Sequence, residues 1–428
     1  IHPQTTSGVT IPGTAKLGLS CGHVGVNQNF QLDSGYDDPS GNWTDELGAQ
    51  VNIVAVYGST AIIGVVVPTA NTQAGGGFFE INWKVSNGSL NIQKTSGNTS
   101  ITNGNSMYSL EGAEFTVYNS SGAAVAKLTT NANGATGTVE LPLGTYTVRE
   151  TKAPKGYLTA ADQTVVINSG ATSTLTFTDS PANDPVAMLV GKYDGDRTYT
   201  EIEGNMPQGS ATLEGAEFTV EYYDTLDYDS YDALKEAGVE PTRSWVFKTD
   251  SDGYAYFSAD YLVSGDAFYY DTTGTETMPR GTVVVYESKA PEGYNLNTDD
   301  VSFQKIQENV TTSAVITYNT AQMPESVKRG GVSVQKLDSQ TGTTPQGNAD
   351  FEGITFSIIN NNANSVVVNG NEYASGEVVT TITTDESGYA ATADDALPYG
   401  SYIIRETSTN EFYLNTSDDI YVTISEDG

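Results

Sequence analysis

The chain has 428 residues, and 53 acidic against 19 basic residues give it a net charge of -34. That charge argues against nucleic acid and anionic membrane surfaces as partners, since both reward Lys and Arg, and it suits a soluble, self-repelling surface protein. A single cysteine, Cys21, excludes an intrachain disulfide, and no run is long or apolar enough to insert into a membrane. Gly and Tyr are abundant (44 and 26), with many Thr, Ser, Asn and Val and almost no amphipathic helical stretch, which is an all-β composition. At roughly 150 residues per domain, the length suggests three or four domains. The chain opens on Ile1 rather than Met, which suggests a removed signal peptide.

Residues 1–88 share no pattern with the rest of the chain. Val51–Tyr57 and Ala61–Val67 read as strands, and Phe78–Val85 alternates as a half-buried strand does. The expectation is a small β-rich N-terminal domain.

Three repeats come next, expected over 89–182, 183–324 and 325–428. Each opens on a strand with a lysine among apolar residues: Leu90-Asn-Ile-Gln-Lys94, Met188-Leu-Val-Gly-Lys192 and Val332-Ser-Val-Gln-Lys336. A second strand starts at Leu110-Glu-Gly-Ala, Leu213-Glu-Gly-Ala and Phe351-Glu-Gly-Ile, and a turn ends on Gly134, Gly253 and Gly388. Then comes a strand ending on a glutamate, in Gly144-Thr-Tyr-Thr-Val-Arg-Glu150, Gly281-Thr-Val-Val-Val-Tyr-Glu287 and Gly400-Ser-Tyr-Ile-Ile-Arg-Glu406. The first two copies continue into an Ala-Pro-x-Gly-Tyr turn, and the third does not. A final strand closes repeat one at Leu175–Asp179 and repeat two at Val315–Asn319, while repeat three stops at Gly428, one strand early, as a fragment of something longer would. Repeat two carries an insertion near 222–245 with a short helix expected at 228–238, capped by Asp229 or Ser230 and stopped by Gly238. Ser180–Pro185 and Ala321–Ser326 read as short, semi-rigid linkers.

Strand alternation places Tyr146, Val148 and Glu150 on one face, so the glutamate belongs to the apolar side. A carboxylate there costs on the order of several kcal/mol unless it is paired or neutral. The plainer reading is a snorkelling lysine and a glutamate bridged to an arginine such as Arg149 or Arg405. Three ordered copies call for chemistry instead. First and last strands commonly pair in a sandwich. A lysine in an apolar core gives up its proton readily and becomes a nucleophile, and an adjacent glutamic acid can polarise an Asp or Asn carbonyl and shuttle protons. The product is an amide between two side chains, formed once, with loss of water from Asp or ammonia from Asn, and no turnover.

The ordered set Leu-x-Gly-Ala-x-Phe, Thr-x-x-x-Gly and Tyr-x-x-x-Glu-x-x-Ala-Pro-x-Gly-Tyr resembles the Cna-B-type (SpaA-like) domains of Gram-positive surface adhesins and sortase-assembled pilins. The resemblance runs from about residue 89 to 428. It implies tandem immunoglobulin-like β-sandwiches, each with a self-generated Lys–Asn/Asp isopeptide bond and an assisting Glu. Carried over by position, repeat one uses Lys94, Glu150 and Asp179, and repeat two uses Lys192, Glu287 and Asn319. Repeat three offers Lys336 and Glu406 with no partner visible in the chain.

Other signals are weaker. Thr249–Gly253 and Tyr193–Asp196 look like the start of calcium loops, but they lack the spaced downstream Glu and read as turns. Cys21, with Gln28 and Gln31 nearby, lacks a thioester motif and reads as an incidental cysteine. His2 and His23 do not make a zinc site or a Cys-His nucleophile. No cofactor or metal is expected. The aromatics Tyr222, Tyr223, Tyr228, Tyr231 and Trp245 read either as partial core or as a binding face on the insertion.

The expected function is an extracellular stalk or adhesin on a Gram-positive cell wall, locked by isopeptide bonds, with sortase and peptidoglycan linkage through a missing C-terminus. It is not an enzyme. The alternative is a ligand-binding module in which residues 1–88 or the 222–245 insertion recognises a host protein or glycan. No pilin motif presenting a lysine to a sortase is found, which favours a stalk or adhesin over a polymerising subunit.

Overall fold

The computed structural model describes residues 87–197, 206–307, 318–415 and 418–425, together with the strand backbones at 20–23, 26–31, 50–57, 60–66 and 77–82. Strands dominate throughout, as the composition requires. Two compact units divide the chain: residues 1–95, 111–152 and 160–177 form one, and residues 96–110, 153–159 and 178–428 form the other.

In the first unit, Ser20–His23 pairs with Val26–Gln31, and Gln50–Tyr57, Thr60–Val66 and Gly77–Asn82 form an antiparallel meander. The expected N-terminal strands are therefore present. The side chains of Cys21, His23, Gln28 and Gln31, and all of His2, lie outside the described residues.

Repeat one is built of two sheets. The first has the order Gln163–Ile167, Gly144–Lys152, Glu114–Tyr118, Ala124–Thr129. The second has the order Thr172–Asp179, Asn87–Ser96, Val139–Pro142. Their facing sides meet in a core that includes Leu90, Ile92, Phe115, Val117, Tyr146, Val148 and Phe177. Burying a Phe or Leu there contributes about 1.5–3 kcal/mol each. The glutamate strand obeys period two: Tyr146, Val148 and Glu150 are buried, while Arg149 is exposed.

The second unit holds repeats two and three. Repeat two has a five-stranded sheet in the order Leu262–Gly265, Arg243–Lys248, Glu217–Tyr223, Gly281–Lys289, Val301–Ile306. Its second sheet has Tyr254–Tyr256, Met188–Asp194 and Ala321–Glu325, the last running parallel to Met188–Asp194. The insertion contributes a helix, Tyr231–Glu236, whose N-cap Ser230 accepts from the Ala233 amide at 3.1 Å. Gly238, with φ +67°, comes just after it in the left-handed region that ends helices. Leu234 of this helix packs with Tyr223 and Val284 on the outer side of the large sheet. Thr282 to Val285 are consequently buried on both faces, where the equivalent strand of repeat one alternates.

One sequence expectation is corrected here. Ala321–Glu325 is a strand of repeat two and not a linker, so the boundary drawn after residue 324 falls inside it. Of the two readings of the insertion aromatics, Tyr222, Tyr223 and Trp245 follow the core one, at 0%, 3% and 0% exposure, while Tyr228 and Tyr231 are half-buried.

Repeat three has a four-stranded sheet, Val378–Thr383, Thr355–Asn360, Gly400–Ser408, Ile420–Ile424. Its lysine strand, Ser333–Gln335, pairs with Tyr389–Ala391. Residues 96–110 and 153–159, which belong to repeat one in sequence, pack within the second unit, where Tyr108 and Tyr157 share a core with Leu189 and Trp245.

Candidate functional site: three lysine–glutamate pairs

The recurring motif residues build the same local frame three times. The threonine of each Thr-x-x-x-Gly accepts from the backbone amide of the residue just before the second strand: Ala113 to Thr130, Ala216 to Thr249 and Ile354 to Thr384, each at 3.0 Å. The glycine four residues on accepts from the lysine amide: Lys94 to Gly134 at 2.7 Å, Lys192 to Gly253 and Lys336 to Gly388 at 2.8 Å. These glycines have φ of +74°, +79° and +82°, and a Cβ at Gly253 would stand 2.7 Å from the Lys192 carbonyl oxygen. The lysine backbone is thus pinned by a turn that only glycine closes at low cost.

The side chains meet the glutamate strand. Lys94 Nζ lies 2.6 Å from Glu150 Oε1, both side chains 0% exposed. Lys192 Nζ lies 2.6 Å from Glu287 Oε1, and Lys336 Nζ 2.5 Å from Glu406 Oε2. The other carboxylate oxygen of the first two is held by a backbone amide: Ala160 donates to Glu150 Oε2 at 2.8 Å, and Asn297 donates to Glu287 Oε2 at 2.7 Å. Apolar rings wall the ammonium sites, with Phe115 and Phe177 centroids 5.3 and 5.6 Å from Lys94 Nζ, and Phe218 at 4.8 Å from Lys192 Nζ. The arginines next in sequence point the other way: Arg149 pairs with Asp162 at 2.8 Å and Arg405 with Asp419 at 2.7 Å, on exposed faces.

The third participant differs from expectation in repeat two. Asn319 is exposed and exchanges hydrogen bonds with Gln304, its amide donating to Oε1 at 2.9 Å and its carbonyl accepting from Nε2 at 2.7 Å. The group in contact with Lys192 Nζ is the carboxylate of Glu325. Backbone geometry identifies Glu325 as the counterpart of Asp179. Gly97 donates to the Asp179 carbonyl at 2.7 Å, and Gly195 donates to the Glu325 carbonyl at 2.8 Å. Each glycine lies three residues after its lysine. Asp179 and Glu325 are both 1% exposed. Burial pushes the Glu325 carboxyl up, to about 8, against the pull of Lys192 and with a further push from Glu287. The sequence carried a signal for Glu325: Ala321, Met323 and Glu325 alternate as a one-sided strand does.

The candidate calcium loops are turns. Asp250 Oδ1 accepts from the amides of Asp252 and Tyr254, at 3.1 and 3.0 Å, as Asn131 and Asp385 do in the other repeats. Asp196 is bound to Arg329, and Asp194 to Gln208 and Tyr294. Among the described residues no group of three or more His, Cys, Asp or Glu could hold a metal, and no helix is long and apolar enough to cross a membrane.

Serial β-sandwiches, each with a lysine–glutamate pair beside a glycine-closed turn, define a tandem-repeat β protein. The chain belongs to the SpaA family of prealbumin-like fold domains, which matches residues 88–181, 206–320 and 330–428. Among solved structures it is similar to the TIE protein of Bacillus anthracis, at 20% identity and a TM-score of 0.51, over 89% of this chain and 57% of that one. It is also similar to BcpA, the major pilin subunit of Bacillus cereus, at 18% identity and a TM-score of 0.31, over 79% and 96% of the two chains. A third similar structure is the pilus adhesin SpaC of Lactobacillus rhamnosus GG, at 14% identity and a TM-score of 0.28, over 86% and 42%. The chain thus spans little more than half the length of the TIE protein. No curated protein matches its sequence.

Proposed function

We propose that the chain is a load-bearing stalk of a Gram-positive cell surface, pilin-like or adhesin-like, in which repeats one and two each lock themselves with one side-chain amide. The pairs are Lys94 with Asp179 and Lys192 with Glu325. The observation that carries this reading is the buried Lys192–Glu287 contact at 2.6 Å with the Glu325 carboxyl also on Nζ. Attack by the lysine nitrogen on the carboxyl carbon forms the C–N bond. The neighbouring glutamate takes the proton from nitrogen and returns it to the departing hydroxyl, so each bond releases one water. A Glu325 carboxyl that keeps its proton to about pH 8 is the electrophilic form at neutral pH. Each amide forms once, so this is not turnover. Lys336 and Glu406 form the same pair in repeat three.

Mechanics supports the reading. The lysine strand and the closing strand of repeat two are parallel neighbours, so tension between the ends of the repeat shears them past one another. An amide between Lys192 and Glu325 would carry that load in place of the hydrogen-bond ladder. In this reading the repeats lie outside the cell, a sortase couples the whole protein to peptidoglycan, and a host protein or glycan is the ligand of the adhesive part.

Intact mass and peptide mapping test the proposal. The expected result is loss of two waters, with Lys94 joined to Asp179 and Lys192 to Glu325, and with Glu150→Ala and Glu287→Ala each abolishing one loss. An unmodified mass would sink the cross-links and leave the three pairs as structural ion pairs.

A further inference from the structure

We propose that Gln208 is the latch of a fixed joint between repeats two and three, so that these two repeats move and bear load as one body. The inference goes beyond the cross-link reading and does not depend on it. All the residues concerned lie within the second compact unit.

Gln208 is fully buried. Its Nε2 donates to both oxygens of Asp194 at 3.0 Å and to Asp196 Oδ2 at 2.9 Å, all in repeat two. Its Oε1 accepts from the backbone amide of Val367 in repeat three at 3.0 Å. The carbonyl of the same Val367 accepts from Arg329 Nη2 at 3.0 Å, and that nitrogen also lies 2.6 Å from Asp196 Oδ2. One residue of repeat three is therefore held through both of its backbone groups, by Gln208 of repeat two and by Arg329 of repeat three, which is itself paired with Asp196 of repeat two. Buried amides bonded on both sides hold a single geometry, because breaking either bond strands a polar group away from water.

The approach is close enough to leave no slack. Gly209, at φ +63°, donates to the Ser365 carbonyl at 3.1 Å, and a Cβ there would stand 2.2 Å from the Tyr399 carbonyl oxygen. Tyr399 also donates to Glu292 at 2.7 Å, on the Ala-Pro-Glu-Gly-Tyr turn of repeat two. The same position does the same work earlier in the chain. Gln208 lies five residues before Leu213, and Asn105 lies five before Leu110. Asn105 Nδ2 donates to the Tyr222 hydroxyl of repeat two at 2.9 Å. The amide at this position is thus turned toward the next repeat in both cases. The root of the latch, Asp194, lies two residues after Lys192 and faces Glu325 in the parallel register, so load leaving that strand pair meets the latch next.

The test uses the full chain and compares wild type with Gln208→Ala by small-angle scattering and by hydrogen exchange read by mass spectrometry. The expected result is a broader distance distribution, and exchange about tenfold or more faster over 362–368, with the strands 217–223 and 281–289 unchanged. If Gln208→Ala does not fold, Arg329→Met loosens the same grip from repeat three and is read in the same way. Unchanged scattering and exchange at 362–368 would overturn the latch. So would faster exchange spread evenly through 217–223 and 281–289, which would make Gln208 an internal support of repeat two only.

Discussion

The amide of Gly195 donates to the carbonyl of Glu325 at 2.8 Å, and a Cβ on residue 195 would stand 2.8 Å from that same oxygen. The hydrogen bond sets the closing strand against the lysine strand, and the missing side chain lets it come that near. Gly195→Ala should push Glu325 away from Lys192 and leave the repeat-two cross-link incomplete, while repeat one still loses its water. Peptide mapping reads the two repeats separately, and full cross-linking of Gly195→Ala would contradict the geometry.

The identity of the acyl donor can be read from what leaves. Glu325→Gln keeps the carbonyl in place and should still close the bond, releasing ammonia instead of water. Asn319→Ala should change neither the yield nor the mass lost, since Asn319 is exposed and bonded to Gln304. Loss of the repeat-two bond in Asn319→Ala would restore Asn319 as the partner.

Lys192→Met removes the proposed nucleophile and exposes the titration of Glu325. Burial and Glu287 still raise this carboxyl, while the lysine that lowers it is gone. Its folded-state pKa lies above the ordinary glutamate value of 4.5, so the folded protein holds the proton more tightly than the unfolded one. Stability of Lys192→Met should therefore be full below about pH 4.5 with respect to this group and fall as pH rises toward and past 8. The steepest possible slope for one such group is about 1.4 kcal/mol per pH unit. Urea unfolding at pH 5 and pH 8 checks the sign, and greater stability at pH 8 would refute it.

Thr249 is 2% exposed, accepts from the Ala216 amide at 3.0 Å and donates to the Leu213 carbonyl at 2.6 Å. Thr249→Val keeps the shape and leaves both backbone groups without that hydroxyl. A loss of about 1–3 kcal/mol per stranded buried group is expected, read as a drop in the melting temperature of an otherwise intact chain.

Much of the frame could be read from period-two alternation and repetition. Tyr146 and Val148 place Glu150 on the core face, and the lysine of each opening strand does reach that glutamate. The helix 231–236, its Ser230 cap and Gly238 were readable from local capping chemistry. The closing strand of repeat two shows only the alternation of Ala321, Met323 and Glu325, which two other features obscure. Tyr318-Asn319 mimics the Thr178-Asp179 end of repeat one, and Pro324 makes Ala321–Ser326 look like a linker. Proline is tolerated there because Ala321–Glu325 is an edge strand, where one side of the ladder needs no donor. The aromatic insertion left two readings open for a related reason. A helix laid over the outer face of a sheet buries both faces of its strands, so Tyr223 and Val284 have no polar alternation to show.

Arg149 and Glu150 are adjacent residues on opposite faces of one strand, and Arg405 and Glu406 repeat the arrangement. Sliding either strand by one residue would swap the faces, withdrawing the carboxylate and driving a guanidinium toward Lys94 or Lys336. Around Lys94, walled by Phe115 and Phe177, two cations would repel strongly, which disfavours the shifted register. The dipeptide thus marks the register, since only one alignment of the strand brings acid to amine.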